Sequence, residues 1–369
     1  MADTGSAMRV RPRSLPRSLE DTQMRRRSTI AAATALAAGA VVAGRTAGRR
    51  AVRRLELRPD PHVTEPFGSL RGTVVPVRAD DGTRLYAEVD GTDRIDLAIV
   101  FSHGWTLTQD SWHFQRKALR GLGRLVFWDQ RGHGRSGGGD RLTYGIPQLA
   151  HDLAAVIEQT VPEGTPVVLI GHSMGGMTIM RYADEHPESF GHKVMAVGLL
   201  NTSSGGLGQV SLGLPAALAR LTQRVIPHGL RAAGLGAPVI ERLRHLGRDG
   251  AMLIEDYIAF GPDASPAAVR FCEQMMAETR LEAMVDFFGS MISHETIGSC
   301  TALAETDTLV IGSENDVLTP LGHSLEIVTK CPTARLEIVP VAGHMAMLER
   351  PSTVSDHLGD LIGRAHKAI

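Results

Sequence analysis

From about residue 70 onward, short apolar runs alternate with longer stretches whose apolar positions recur at helical spacing. The runs Ile95–Ser102 and Val167–Ile170 lack the regular polar alternation of a half-exposed strand and predict strands covered on both faces. Further strands are predicted at Gly72–Val77 and Leu85–Val89, joined across the turn signal Asp81-Gly82, and at Leu125–Asp129 and Val194–Leu200. Helices are predicted over Trp112–Leu122, Ile146–Thr160 and Met174–Glu185. After Asn201 the alternation stops, and 202–301 offers helical patterns without a convincing strand. It then resumes with strands at Leu309–Gly312 and Arg335–Val339 and helices at Pro320–Thr329 and Ser352–Ala365. The expected architecture is α/β: an eight-stranded, mostly parallel sheet with helices on both faces, its core formed by 70–201 and 302–369. The expected helical cap is 202–301. Within it Met284, Phe287, Phe288 and Met291 fall at i, i+3, i+4 and i+7, so that face either packs on the body or lines an acyl pocket.

A chain of 369 residues with 43% apolar content can bury a full core. Its formal net charge of −1 hides a basic arm: residues 1–58 hold thirteen arginines and four acidic residues, leaving that stretch at +9 and the rest at −10. The body has no concentrated basic patch, which weighs against a nucleic-acid partner. In the arm, seventeen uncharged residues, Ser28 to Gly44, separate Arg27 from Arg45, just short of a bilayer span of roughly 20 apolar residues. Three readings compete: an export signal of twin-arginine type, which would place the start near Met24; a membrane anchor; and an Arg-rich leader without an address. Export or membrane association is favoured over a cytoplasmic location. Arg45, Arg49, Arg50, Arg53 and Arg54 add the expectation of contact with an anionic membrane surface. Cys272, Cys300 and Cys331 are read as free thiols, although spacing leaves one disulfide open, and they form no metal-ligand pattern.

A serine hydroxyl becomes a useful nucleophile only when a base removes its proton, an acid orients that base, and donors stabilise the oxyanion. Two G-x-S-x-G sequences occur, around Ser173 and Ser136. Ser173 directly follows an apolar strand and opens a helix, the sharp turn such a nucleophile needs, whereas Ser136 runs into Gly137-Gly138-Gly139. The acid and base should follow in that order, each beyond a strand's end. Asp316 fits after Leu309–Gly312, with Glu314 as its nearest rival. His344 fits after Arg335–Val339, while His323 and His294 follow no strand. The backbone N–H groups of Trp105, in the loop Ser102-His103-Gly104-Trp105, and of Met174 are the expected oxyanion donors.

With H-G-W at 103–105, D-Q-R-G-H-G-R-S at 129–136, G-H-S-M-G-G at 171–176, G-S-E-N-D at 312–316 and A-G-H at 342–344, residues 72–365 resemble the α/β-hydrolase fold superfamily. Within it they resemble the serine esterase, lipase and cofactor-free haloperoxidase branch. The resemblance implies that 129–136 shapes a loop beside the site without acting in it. It also sets the chain apart from the epoxide-hydrolase and haloalkane-dehalogenase branches, which use Asp at the nucleophile position. The expected function is cleavage of a carboxylic ester, with an apolar acyl group, through Ser173, His344 and Asp316, requiring no cofactor and no metal. Perhydrolysis, thioester or amide hydrolysis and lyase chemistry reuse the same triad, and a ligand sensor without catalysis is the alternative from another class.

Overall fold

Six consecutive residues, Val167–His172, are buried, as a strand at the centre of a two-sided sheet requires. They form β5 of an eight-stranded sheet in the computed structural model, which describes residues 50–369 except 92, 94 and 211–247. The other strands are β1 (Thr73–Arg78), β2 (Arg84–Asp90), β3 (Ala98–Ser102), β4 (Arg124–Asp129), β6 (Val194–Leu200), β7 (Asp307–Ser313) and β8 (Arg335–Val339). Their spatial order is β1-β2-β4-β3-β5-β6-β7-β8, with β2 antiparallel to both neighbours and every pairing from β4 to β8 parallel. The chain therefore reverses its winding at β3, and the crevice beyond the carboxyl ends of β3 and β5 is a topological switch point. Leu55–Ile369 forms one compact unit; of the Met1–Arg54 unit only 50–54 is described, as helix. The expectations for 28–44, Met24, Arg45 and Arg49 lie outside the described residues, as does 211–247 of the predicted helical insertion.

The described α-helices are α1 (His113–Ala118), α2 (Ile146–Thr160), α3 (Met174–Glu185), α4 (Arg248–Ala259), α5 (Pro266–Glu278), α6 (Leu281–Ile292), α7 (Cys300–Leu303), α8 (Leu321–Lys330), α9 (Ala346–Glu349) and α10 (Pro351–Ala368). Val100, Leu169 and Val197 pack into one cluster with Leu153 and Val156 of α2 and Ile179 and Ala183 of α3. Alternate strand residues point to the other face, where Phe101 stacks on Phe127 at 4.5 Å and meets Trp112 at 5.3 Å. Burying a large side chain such as these contributes about 1.5–3 kcal/mol each, so the central strands anchor the sheet.

Most bounds shift by one to three residues, and two of the differences have a local cause. The predicted helix Trp112–Leu122 is a 3-10 turn, Gln109–Trp112, followed by the short α1, because Gly121 adopts φ +86° and breaks the run. The strand predicted from Ile95 begins at Ala98, since Ile95 is exposed. Between β6 and β7 the described residues hold helices and no strand. Among the described residues no helix is long and apolar enough to cross a membrane.

Candidate active site

β5 gives way to α3 within a single residue, and that residue is Ser173, held at φ 51° and ψ −118°. A non-glycine residue with positive φ is strained, so surrounding structure must fix it. It does: the Ser173 N–H donates to the Leu200 carbonyl at 2.9 Å, and the Ser173 carbonyl accepts from Thr202 Oγ1 at 2.7 Å. Gly175 lets α3 approach β3 closely, because a Cβ there would collide with the Ser102 carbonyl oxygen. The first N–H groups of α3 have no intrahelical acceptors, and the helix dipole favours negative charge beside Ser173.

Asp316 lies in the turn after β7, its carboxylate buried among donors. Oδ2 accepts from His344 Nδ1, Asn201 Nδ2 and Thr319 Oγ1, each at 2.8 Å, while Oδ1 accepts the N–H groups of Leu318 and Thr319, each at 2.9 Å. Burial alone would raise this carboxyl, but the neighbouring imidazole of His344 and these hydrogen bonds outweigh it and hold it below the ordinary range. The carboxylate fixes the proton of His344 on Nδ1, leaving Nε2 with a free lone pair. His344 and Ser173 border the same cavity of about 290 Å³. The structure thus brings Ser173, Asp316 and His344 together, as their positions after β5, β7 and β8 predict.

The loop carrying His344 is tied down by residues that sequence reasoning did not single out. Glu349, on α9, accepts the N–H of Gly343 at 2.9 Å and that of Gly261 at 2.8 Å. His172 donates Nε2–H to the His344 carbonyl at 2.9 Å, which links the residue before Ser173 to the loop of His344. Burial, then the field of His344, push the His172 imidazole down to about 3, so it stays neutral. Asn201 sits at φ 42° at the end of β6; Asn tolerates this conformation better than most residues, which is the one local signal that marks it.

Trp105 follows β3 in a loop pinned from behind. His103 accepts the Gln130 N–H on Nε2 at 2.9 Å and therefore donates Nδ1–H to the Gly104 carbonyl, 2.7 Å away. Trp105 borders the cavity, and neither its N–H nor that of Met174 donates to a protein acceptor among the described residues. The rivals are engaged elsewhere. Ser136 Oγ donates to the Asp129 carbonyl and accepts the Tyr86 N–H, Glu314 accepts the Val341 N–H, His323 pairs with Ser203 and His294 with Thr296.

The four apolar residues of α6 divide. Phe288 and Met291 line the cavity, whereas Met284 and Phe287 do not. Phe287 is fully buried against Tyr144, ring centroids 5.2 Å apart, and His133, at 5.6 Å. Met284 is only partly buried. The expectation that all four line a pocket is corrected for those two: a face set by helical spacing is wider than the strip that reaches the cavity.

The model of the alpha/beta hydrolase family matches residues 99–357. The chain belongs to this family. Among relatives, a non-heme haloperoxidase from Rhodococcus erythropolis is 35% identical over 125 residues, which is 33% of this chain and 43% of that protein. The match thus spans less than half of that relative's length. Of solved structures, a thermophilic esterase from Thermogutta terrifontis aligns with a TM-score of 0.61 at 21% identity, covering 79% of this chain and 99% of the esterase. The enol-lactonase from Burkholderia xenovorans LB400 aligns with a TM-score of 0.62 at 20% identity, covering 78% and 100%. These likenesses give this alpha/beta hydrolase its fold and leave its reaction to be argued from the site.

Proposed function

We propose that this alpha/beta hydrolase cleaves a carboxylic ester through an acyl-enzyme, with Ser173 as nucleophile, His344 as base and Asp316 as the group that orients it. The observation that carries this reading is the Asp316–His344 hydrogen bond of 2.8 Å, which leaves Nε2 unprotonated at the cavity that Ser173 also borders. Ser173 Oγ adds to the ester carbonyl as Nε2 takes its proton. The N–H groups of Trp105 and Met174 receive the oxyanion. The carbon–oxygen bond to the alcohol then breaks, and His344 returns the proton to the departing oxygen. Water attacks the acyl–Ser173 ester, with His344 again as base, releasing the acid and restoring the serine.

The helices between β6 and β7 act as a cap in this reading, and Leu207, Met276, Phe288 and Met291 give the acyl group an apolar wall. Incubation with a fluorophosphonate probe should label the chain and leave Ser173→Ala unlabelled, while p-nitrophenyl ester turnover by that variant falls by about four to six orders of magnitude. Equal labelling of both proteins would remove Ser173 from the mechanism. The similarity to a haloperoxidase supports a second reading, in which hydrogen peroxide replaces water in the deacylation step and yields a peracid. Halide oxidation that requires acetate, peroxide and Ser173 together would mark it.

A further inference from the structure

Among the described residues the cavity beside Ser173 is bordered by two ionisable side chains besides His344: His172, which holds the His344 carbonyl, and Glu255, which the proposed chemistry does not use. Glu255 lies on α4 one turn before Ala259, so Glu255, Ile258 and Ala259 occupy one helical face, and all three border the cavity. The end of that helix is docked at the base: the Ala259 carbonyl accepts the Met345 N–H at 3.0 Å, next to His344. Glu255 is only 7% exposed. Behind it stands Cys272, fully buried, whose S–H donates to the carboxyl. A carboxylic acid has two oxygens, and one thiol does not exhaust them. No lysine or arginine lines the cavity among the described residues. Most of its remaining described lining is apolar, with Trp105, Phe288 and Met291 among it.

An acidic group in an apolar wall is costly unless something pairs with it. Substrates with a donor at that place recover the cost, whereas anionic ones meet repulsion. We infer that Glu255 is a specificity-determining residue that selects esters bearing an N–H or O–H donor, a hydroxyl or an ammonium, on the part of the substrate that rests against α4. This rests on the ester reading given above and adds the substrate class. Burial raises the Glu255 carboxyl, and Glu273 adds to this, while Cys272 and His344 draw it down. The group is thus shifted toward its neutral form, and an ammonium beside it would favour the charged one.

The test compares esters that differ only at the far terminus. One set is the p-nitrophenyl esters of hexanoic, 6-hydroxyhexanoic and 6-aminohexanoic acid. The other is the acetates of 1-hexanol, 1,6-hexanediol and 6-aminohexanol, which place the donor on the alcohol side. In one of the two sets the full-length protein should prefer a donor-bearing ester over its methyl-terminated partner by about tenfold in kcat/KM. Glu255→Met, similar in length and without polar oxygen, should bring that ratio to unity or below. Glu255→Gln keeps an acceptor, so it should preserve a preference for hydroxyl and lose one for ammonium, which separates the two sources. Thermal melting of both variants checks that they fold. The inference is overturned if the wild-type protein prefers the methyl terminus in both sets, or if its ratios survive in Glu255→Met. Failure of the wild-type protein to turn over any ester would instead sink the ester reading on which it stands.

Discussion

Glu349 holds two N–H groups of separate loops on one buried carboxyl, and its environment makes that contact dependent on pH. Burial, the largest influence, pushes the group from 4.5 up to about 7 against the pull of the Gly261 and Gly343 N–H groups. Between those values the folded state binds more protons than the unfolded chain. The stabilisation from the protonated form is complete below about pH 4.5 and is lost as the pH rises through 7, a difference on the order of 3 kcal/mol. Glutamine does not titrate; it keeps one acceptor oxygen for one of these N–H groups and sets its NH2, a donor, against the other. Relative to the wild type, Glu349→Gln should therefore melt lower near pH 5, and its offset should rise by about 5 °C from pH 5 to pH 8. An offset independent of pH, measured by thermal scans, would show that the carboxyl does not titrate as described. The residues legible in the sequence, Ser173, Asp316 and His344, each follow a strand within five residues of its end. Asn201, Glu349 and His172 were not legible in their positioning roles, because each gains meaning only from a distant partner. Asn201 and Asp316 are 115 positions apart.

At the scale of elements, periodicity located α2, α3, β6 and β8 with the bounds the structure has; the first three are largely buried, whereas β8 is mostly half-exposed and was marked by its apolar positions alone. Periodicity could not divide the apolar face of α6. That helix lies between the Tyr144 side of the body and the cavity, so both sides of its face are apolar for different reasons. Two neighbouring substitutions should separate these reasons. Phe287→Ala should cost about 3–5 kcal/mol in urea unfolding. Phe288→Ala, at the cavity wall, should cost less and shift the preferred acyl chain toward longer esters. Equal losses of stability with unchanged chain preference would mean that both rings serve packing alone. The short α9 escaped notice because four residues are too few to show a period.

For the whole molecule, the four described non-glycine residues with positive φ are Thr106, Ser173, Asn201 and Val341. They follow β3, β5, β6 and β8, so backbone strain gathers on the edge of the sheet that carries the site. Parallel strands, whose carboxyl ends share one edge, made the location of that edge legible; which loops bend hardest was not. The loop at 129–136 supports it through Arg131, whose guanidinium makes two bonds of 2.6 Å to Asp152, both side chains fully buried. Arg131→Ala leaves Asp152 without its partner and should lower stability by about 3–5 kcal/mol in denaturant titration, while replacing both together by apolar residues should cost less. Equal costs would mean that lost volume, rather than an unpaired charge, sets the penalty. The docking of 259–261 onto 343–349 has a bearing on how such proteins can be recombined. A chimera that borrows a relative's segment between β6 and β7 would inherit a new specificity, but it would also replace the surface that meets Glu349 and Met345. Exchanges that stop short of Ala259 would keep the native seam and let pocket shape change independently of the loop that carries His344.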